Sequence, residues 1–469
     1  MAVLFSPESA GVHSGAVLDF VNALDRINYV HSFLLSRNGR EIASGWWKPY
    51  DPETPHLLFS LSKSFVSCAV GLLADEGKIT LDTPVTEIFP EYCADIADEK
   101  FFRMTVRHLL TMSAGHDRCA TEFFRAAGQN DFVKVFFSSP LVHEPGSVFV
   151  YNSGATYLLS AIVRKLSGQN VTEYLAPRML NDLGIAKRKW ETCPAGTEFG
   201  GWGYRLTTRE IAAFAEMLLN KGKVNGKQLV PAHYLEQACS FQIDNSRNEA
   251  ADWRVGYGFQ FWRCRNNAFR GDGAFGQYAL VIPEKRVTLA ITSGVSDMQQ
   301  ILDAVWEHLL PAFGSGPLPE DPGVLAALRE KCSTLAVPAL HGKVPAEERT
   351  AEIVFNVNPV GISGCRIDLK KAFCRVVFRR ENAPDTAISA GWEGNFAAGE
   401  TDLEEQEMRQ VFSTAAAYEN SVRIRSCYTG TPYLSDYTFE FDGNAVRFRR
   451  KRNRIFQDTE WPELTGKLV

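Results

Sequence analysis

No stretch of these 469 residues approaches the 18 or more consecutive apolar residues that span a bilayer, so helical membrane insertion is not expected. The opening run, MAVLFSPESAGVHSG, has neither a basic n-region nor a long apolar h-region, so no export signal is read. The ten cysteines scatter from Cys68 to Cys427 without a Cys-x-x-Cys pair. That excludes the usual zinc spacings and points to reduced thiols rather than a disulfide framework. Nine histidines never fall into His-Glu-x-x-His spacing, so no metal site is expected. Neither sign of charge dominates: 50 basic against 55 acidic residues leave a net charge of −5, which argues against a dedicated nucleic-acid binder. No solenoid-type repeat is present. The expectation is a cytoplasmic chain that uses no metal or cofactor and engages neither nucleic acid nor membrane, with a homodimer left open.

What is present is apolar material in quantity. At 45% apolar residues, a chain of this length can bury large cores and is expected to hold two or more domains. Residues 30–47 alternate, with Asn38-Gly39 as a hairpin signal. Residues 80–190 read as mostly helical, with strong pieces at 106–112, 131–137 and 156–167; 208–222 and 231–239 add two more. Residues 255–263, 278–282 and 288–292 read as strands, and 297–310 as a helix ending before Pro311. Strands therefore bracket a long helical insertion, which implies an α/β (α+β) core on a mostly antiparallel sheet. A Pro/Gly-rich run, GSGPLPEDPG, follows at 314–323, with a short helical piece at 324–332. From about residue 350 the chain alternates continuously, as in RIDLKKAFCRVVFRR, SVRIRSCY and YTFEF. The expected division is 1–313 catalytic, 314–345 linker with a short helix, and 346–469 an all-β module, a lipocalin-like barrel or a sandwich.

Three segments carry chemistry. The first, FSLSKSFVSCAVGLLADEG at 59–77, sets Ser60 and Lys63 three residues apart at the opening of an expected amphipathic helix. That spacing stacks hydroxyl and amine on one face, and a desolvated lysine can take the proton that makes a serine nucleophilic. The second, FVYNSGATYLLSAIV at 149–163, places Tyr151 and Ser153 just before a helix; a phenol there can relay a proton. The third, AFRGDGAFGQYALVIPEKRVTLAITSG at 268–294, holds Gly271, Gly273 and Gly276 in Gly-x-Gly-x-x-Gly spacing. A dinucleotide site needs a helix after such glycines, and here a strand follows. A glycine-rich strand instead lets a substrate backbone approach and offers N–H donors to an oxyanion.

Together, Ser60-Leu61-Ser62-Lys63, Tyr151-Asn152-Ser153 and Gly271-Asp272-Gly273 resemble, in order, the three active-site motifs of the penicillin-recognising serine hydrolases. VRHLLTMSAGH, EPGSVFVYNSG, GWGYRLTTREIAAFAEMLLNKG and GDGAFGQY are similar to the class C β-lactamase-like branch of that family. The likeness spans about residues 25–310 and leaves the β module uncovered. It implies a β-lactamase/transpeptidase-like fold, with Ser60 as acylated nucleophile, Lys63 as its proton acceptor and Tyr151 supporting proton transfer. The implied oxyanion hole is the backbone N–H of Ser60 and of Ala274, and Ser153, Gly271, Asp272 and Gly273 are the implied substrate-binding positions. Two positions depart from the pattern: Ser153 stands where Asn is usual, and Gly271 where Lys or His helps bind a substrate carboxylate. Arg270 is adjacent, but in an alternating strand its side chain leaves on the opposite face. The expected activity is cleavage of a small ester or amide through an acyl-enzyme. A D-amino-acid peptidase or β-lactamase-type enzyme, and a non-catalytic binding protein on the same fold, remain alternatives. Among other residues, Trp46, Trp47 and Trp202 are read as core or pocket wall, His116 as structural, and RFRRKRNR at 447–454 as one solvated strand face and a turn.

Overall fold

The hairpin read at Asn38-Gly39 forms as β1 (Val30–Arg37) and β2 (Arg40–Trp46), with both turn residues at positive φ as a two-residue hairpin turn requires. The computed structural model describes residues 5–127, 131–404, 409–453, 456 and 459–469. Four later strands complete the first sheet: β3 (Trp262–Arg263), β4 (Phe269–Gly273), β5 (Gln277–Ile282) and β6 (Val287–Ser293). Their order is β2-β1-β6-β5-β4-β3, and every pairing is antiparallel.

Both faces of this sheet are covered, and the two-residue period of the strands divides their side chains between two cores. Leu34, Ala279, Val281 and Ala290 pack with the helices that follow Ser60. Phe33, Leu35, Tyr278, Leu280, Leu289 and Ile291 face the other way, toward α1 (Ser14–Ile27) and the helices after the sheet. The first of these cores contains α2 (Ser62–Asp75), α3 (Ser153–Ser167) and α4 (Thr208–Leu219). Every residue of α2 from Ser62 to Leu73 is buried. The helix is therefore surrounded, not amphipathic as the sequence implied. Its polar positions are satisfied inside: Ser64 bonds the Gln260 carbonyl and Ser67 meets the Tyr234 hydroxyl.

The strand expected over 255–263 shrinks to Trp262–Arg263. Gln260 stands at φ 63° and its amide bonds Thr156 and the carbonyls of Leu109 and Leu110, which ties this segment to the helices rather than to the sheet. The helix expected over 297–310 forms as α5 (Gln299–Ala304) and continues in tighter and wider turns to Ala312.

Residues 314–345 are more than a tether. They include α6 (Pro322–Thr334), capped by the Asp321 carboxylate, with Leu325, Leu328 and Cys332 in the same core as α1. The 13-residue helix is held because its apolar face finds an unfilled face of the catalytic half. Lys331 also bonds Asp25 of α1 at 2.6 Å.

Beyond it lie β7 (Arg349–Phe355), β8 (Ile362–Leu369), β9 (Cys374–Arg380), β10 (Thr386–Trp392), β11 (Ala397–Glu400), β12 (Gln410–Ala417), β13 (Ser421–Cys427), β14 (Leu434–Asp442), β15 (Ala445–Arg452) and β16 (Leu464–Leu468). A parallel pairing of β10 with β12 closes the sheet, so this module is a barrel, with β11 lying beside β12. Alternate side chains such as Ile353, Ile367, Phe378, Phe439 and Phe448 fill it. The basic run at 447–454 is only half solvated. Arg447 and Arg449 face water, whereas Arg450 and Arg452 point inward onto Glu404; Arg454 lies outside the described residues. Inward charges survive there because the carboxylate pairs with both guanidinium groups and accepts from the Tyr437 hydroxyl. Among the described residues, no helix is long and apolar enough to cross a membrane.

Candidate active site

Ser60 stands in a single tight turn, Phe59–Leu61, that runs straight into α2, so Lys63 falls in the first turn of the helix directly beneath it. The Lys63 amine donates to Ser60 Oγ at 2.9 Å, to Ser153 Oγ at 3.0 Å and to the Gly201 carbonyl at 2.6 Å. Only 1% of the residue is exposed. Burial pulls its pKa down from 10.5 to about 7, against the opposing pull of Cys119 and the Asp272 carboxylate. An ammonium can donate all three bonds. A neutral amine donates two and keeps a lone pair, which can accept the Ser60 proton. Near neutral pH the amine can therefore hold or release its proton.

Tyr151 and Ser153 are brought to this point by the start of α3. The Asn152 side chain accepts from the N–H groups of Gly154 and Ala155 and from Ala120, which caps the helix and fixes its entry. The Tyr151 ring leans on Trp262 at 5.3 Å, and Lys63 Nζ lies 5.0 Å from the ring centroid. Its hydroxyl reaches Ser60 and the Trp262 indole, and burial raises its pKa, so it stays a proton donor.

Strand β4 runs alongside. A Cβ on Gly271 would lie 2.3 Å from Leu61 and 2.9 Å from Ser64, and one on Gly273 would lie 2.0 Å from the Leu58 carbonyl oxygen. These glycines let the strand press against the turn that carries Ser60. The contacts seen at Gly271 and Gly273 are packing contacts, and neither they nor Asp272 is among the residues that line the cavity described below. Asp272 points to the opposite face, where Arg270 Nε donates to it at 2.7 Å in a fully buried ion pair. Burial raises the Asp272 carboxyl to about 6 even so. Arg270 is covered by Trp253, whose ring centroid is 4.2 Å from its guanidinium carbon, and it does not reach the cavity.

Ser60, Ser153 and Ala274 open onto a cavity of about 640 Å³. Its walls are aromatic: Phe59, Phe124, Phe132, Phe199, Trp202 and, from the barrel half of the chain, Phe456. Phe124 stacks on Phe132 at 4.7 Å and Phe199 on Trp202 at 4.3 Å. No lysine, arginine or histidine is among its described lining residues. Of the other sequence candidates, Trp202 is wall, whereas Trp47 is core, its indole bonded to Asp25. His116 is buried against Ser139, away from the cavity. Among the described residues no group of three or more His, Cys, Asp and Glu could hold a metal ion.

Sequence reasoning missed the Asn152 cap, the Gly201 carbonyl, Cys119 and most of the aromatic wall. The glycine cluster around Trp202, GGWG, was a visible sign of close backbone approach. The phenylalanines gave no sign, because they come from segments far apart in the chain.

The β-lactamase family model matches residues 30–305, more than half of the chain. The chain belongs to the β-lactamase family. Among curated relatives it is 26% identical over 218 residues to the 6-aminohexanoate-dimer hydrolase of Paenarthrobacter ureafaciens, covering 44% of this chain and 56% of that one. It is 29% identical over 153 residues to esterase EstB of Burkholderia gladioli, covering 29% and 39%. The chain thus spans only about half the length of these relatives. The octameric penicillin-binding protein homologue from Pyrococcus abyssi superposes over 96% of this chain and 98% of its own, with a TM-score of 0.50 at 17% identity. That likeness is one of fold, and it extends through the barrel.

Proposed function

We propose that this β-lactamase-family chain is a serine hydrolase that cleaves a small, uncharged ester or amide through an acyl-enzyme on Ser60. The observation that carries the reading is the buried Lys63 amine, 2.9 Å from Ser60 Oγ, with its pKa lowered to about 7. In the forward step Ser60 Oγ bonds the substrate carbonyl carbon as its proton passes to Lys63. The carbonyl oxygen gains the negative charge and is received by the N–H groups of Ser60 and Ala274. Tyr151 hands a proton to the departing alcohol or amine and recovers one from Lys63. Water then repeats the sequence on the acyl group and frees Ser60.

The absence of a cation among the described lining residues supports a substrate without a free carboxylate, and the aromatic walls support a bulky apolar group on it. A linear amide is the second substrate class, favoured by the alignment with a 6-aminohexanoate-dimer hydrolase. The ten free cysteines support a reducing, cytoplasmic setting.

The test is a substrate panel with Ser60→Ala beside wild type: p-nitrophenyl acetate, butyrate and benzoate, nitrocefin, a D-Ala p-nitroanilide and a 6-aminohexanoate dimer. Serine-dependent turnover that favours the larger neutral esters is the expected result. Turnover confined to nitrocefin would replace this reading with a β-lactamase, and turnover confined to the D-Ala anilide with a D-amino-acid peptidase. No turnover, with Ser60 unmodified by a fluorophosphonate in mass spectrometry, would leave a binding protein.

A further inference from the structure

Two aromatic residues flank the proposed oxyanion donors, and both hold a backbone conformation that bulky side chains rarely adopt. Phe59, immediately before Ser60, has φ 47°; Phe275, immediately after Ala274, has φ 68°. Such conformations persist only where surrounding structure enforces them, and they concentrate at functional sites. The two rings meet edge to face, with centroids 5.3 Å apart.

The enforcing structure comes largely from the barrel. The turn between β13 and β14 carries Tyr433, whose ring packs edge-on against Phe59 at 6.5 Å and Phe275 at 6.3 Å. Leu57, Phe59, Phe275, Val411, Tyr428 and Tyr433 form one buried cluster, with Ala274 packed against it. The turn is anchored on both sides. The Leu57 N–H donates to the Gly430 carbonyl at 2.9 Å, and Asn453 Nδ2 bonds both Gly294 O and Pro432 O. Within the turn, the Tyr433 N–H donates to Thr431 Oγ1, and the Arg452 guanidinium carbon sits 4.4 Å from the Tyr433 ring centroid. From the catalytic half, Ser293 Oγ bonds the Phe275 carbonyl at 2.7 Å. Phe275 is thus held by its carbonyl from one half of the chain and by its ring from the other.

We propose that Tyr433 of the barrel is a positioning residue for the oxyanion hole, wedging Phe59 and Phe275 so that the N–H groups of Ser60 and Ala274 converge on one point. The proposal rests on the hydrolase reading with Ser60 as nucleophile. It makes the barrel a working part of the active site rather than an appended module. Tyr433 touches no reacting atom, so its loss should act on turnover and leave binding in the aromatic cavity nearly unchanged.

The experiment compares full-length wild type, Tyr433→Ala and Tyr433→Phe. It measures kcat and KM for p-nitrophenyl butyrate and the rate of Ser60 modification by a fluorophosphonate, with thermal unfolding as a check on folding. Losing one oxyanion donor costs about 10²–10³ in kcat, so misaligning donors that remain present should cost about 10–100-fold. Tyr433→Ala is expected to lose that factor in kcat and in modification rate together, with KM within about twofold. Tyr433→Phe, which keeps the ring, should restore both. Should Tyr433→Ala not fold, Val411→Ala trims the same cluster from the barrel side and is expected to lose roughly three- to tenfold in kcat. A folded variant with unchanged kcat, or an effect confined to KM, overturns the proposal. Absence of Ser60 modification in the wild type would instead overturn the hydrolase reading itself.

Discussion

Acidifying the medium should remove activity at about tenfold per pH unit below a break near 7, because Lys63, the proposed base, can accept a proton only as a neutral amine. Burial takes Lys63 from 10.5 to about 7. About half of the molecules are then competent at the break, about a tenth one unit below it and about a hundredth two units below it. A lysine at its ordinary value would leave only about one molecule in three thousand competent at neutral pH. The Asp272 carboxylate acts to raise the Lys63 pKa against burial, so Asp272→Asn should move the break downward. The assay is kcat/KM for p-nitrophenyl butyrate from about pH 5 to pH 10, corrected with Ser60→Ala, alongside the rate of fluorophosphonate modification, which reports the attack step alone. A profile flat from pH 5 to pH 8, or one climbing without a break to pH 10, would refute the reasoning.

The same shift carries a stability signature. Between about pH 7 and 10.5 the unfolded chain binds a proton on Lys63 that the folded chain has released. The unfolded state binds more protons there, so folding stability rises with pH through that window and is penalised below it. This one group contributes about 1.4 kcal/mol per pH unit, on the order of 5 kcal/mol across the window. Lys63→Met should erase that slope, so the variant gains stability relative to wild type as the pH is lowered toward 7. The difference in urea midpoints at several pH values measures it.

Three further outcomes follow from the same geometry. Tyr151→Phe should lower kcat by about 10²-fold while KM stays within about twofold, since the phenol moves a proton in the proposed mechanism and does not bind substrate there; a pure KM effect in steady-state assays would remove it from the mechanism. Arg270→Met leaves the buried Asp272 carboxylate without its ion-pair partner and should cost about 3–5 kcal/mol in urea denaturation; a loss under about 1 kcal/mol would contradict a structural role for the pair. Gly273→Ala places a methyl 2.0 Å from the Leu58 carbonyl oxygen, so the strand must retreat from the Ser60 turn. It should cost about 1–3 kcal/mol and lower kcat as well, and wild-type values for both would show that the contact is soft.

Much of the site was legible because its chemistry is local. Ser60 and Lys63 lie three residues apart where a tight turn enters a helix, and Tyr151 and Ser153 flank the cap of another, so the three motifs taken together in their order showed which groups could meet. The Asn38-Gly39 hairpin and the alternating strands after residue 350 were readable for the same reason: turn chemistry and a two-residue period act over neighbours. Gly271 and Gly273 showed only that a backbone would be approached closely. That the turn carrying Ser60 packs against them depends on a strand and a helix that meet across about two hundred residues of chain. The short helix read at 324–332 forms as Pro322–Thr334, whereas its docking in the core shared with α1 depends on segments far away in the chain.

By itself, then, the order of residues brought out the Ser60–Lys63 and Tyr151–Ser153 candidates, the antiparallel sheet with its helical insertion, and a β module beyond it, because motif spacing, periodicity and turn chemistry are properties of neighbouring residues. Tertiary structure alone decided the lysine's lowered pKa, the aromatic cavity and the contact of Tyr433 with Phe59 and Phe275. Each of these arises from desolvation or packing between segments that meet only after the chain has closed on itself.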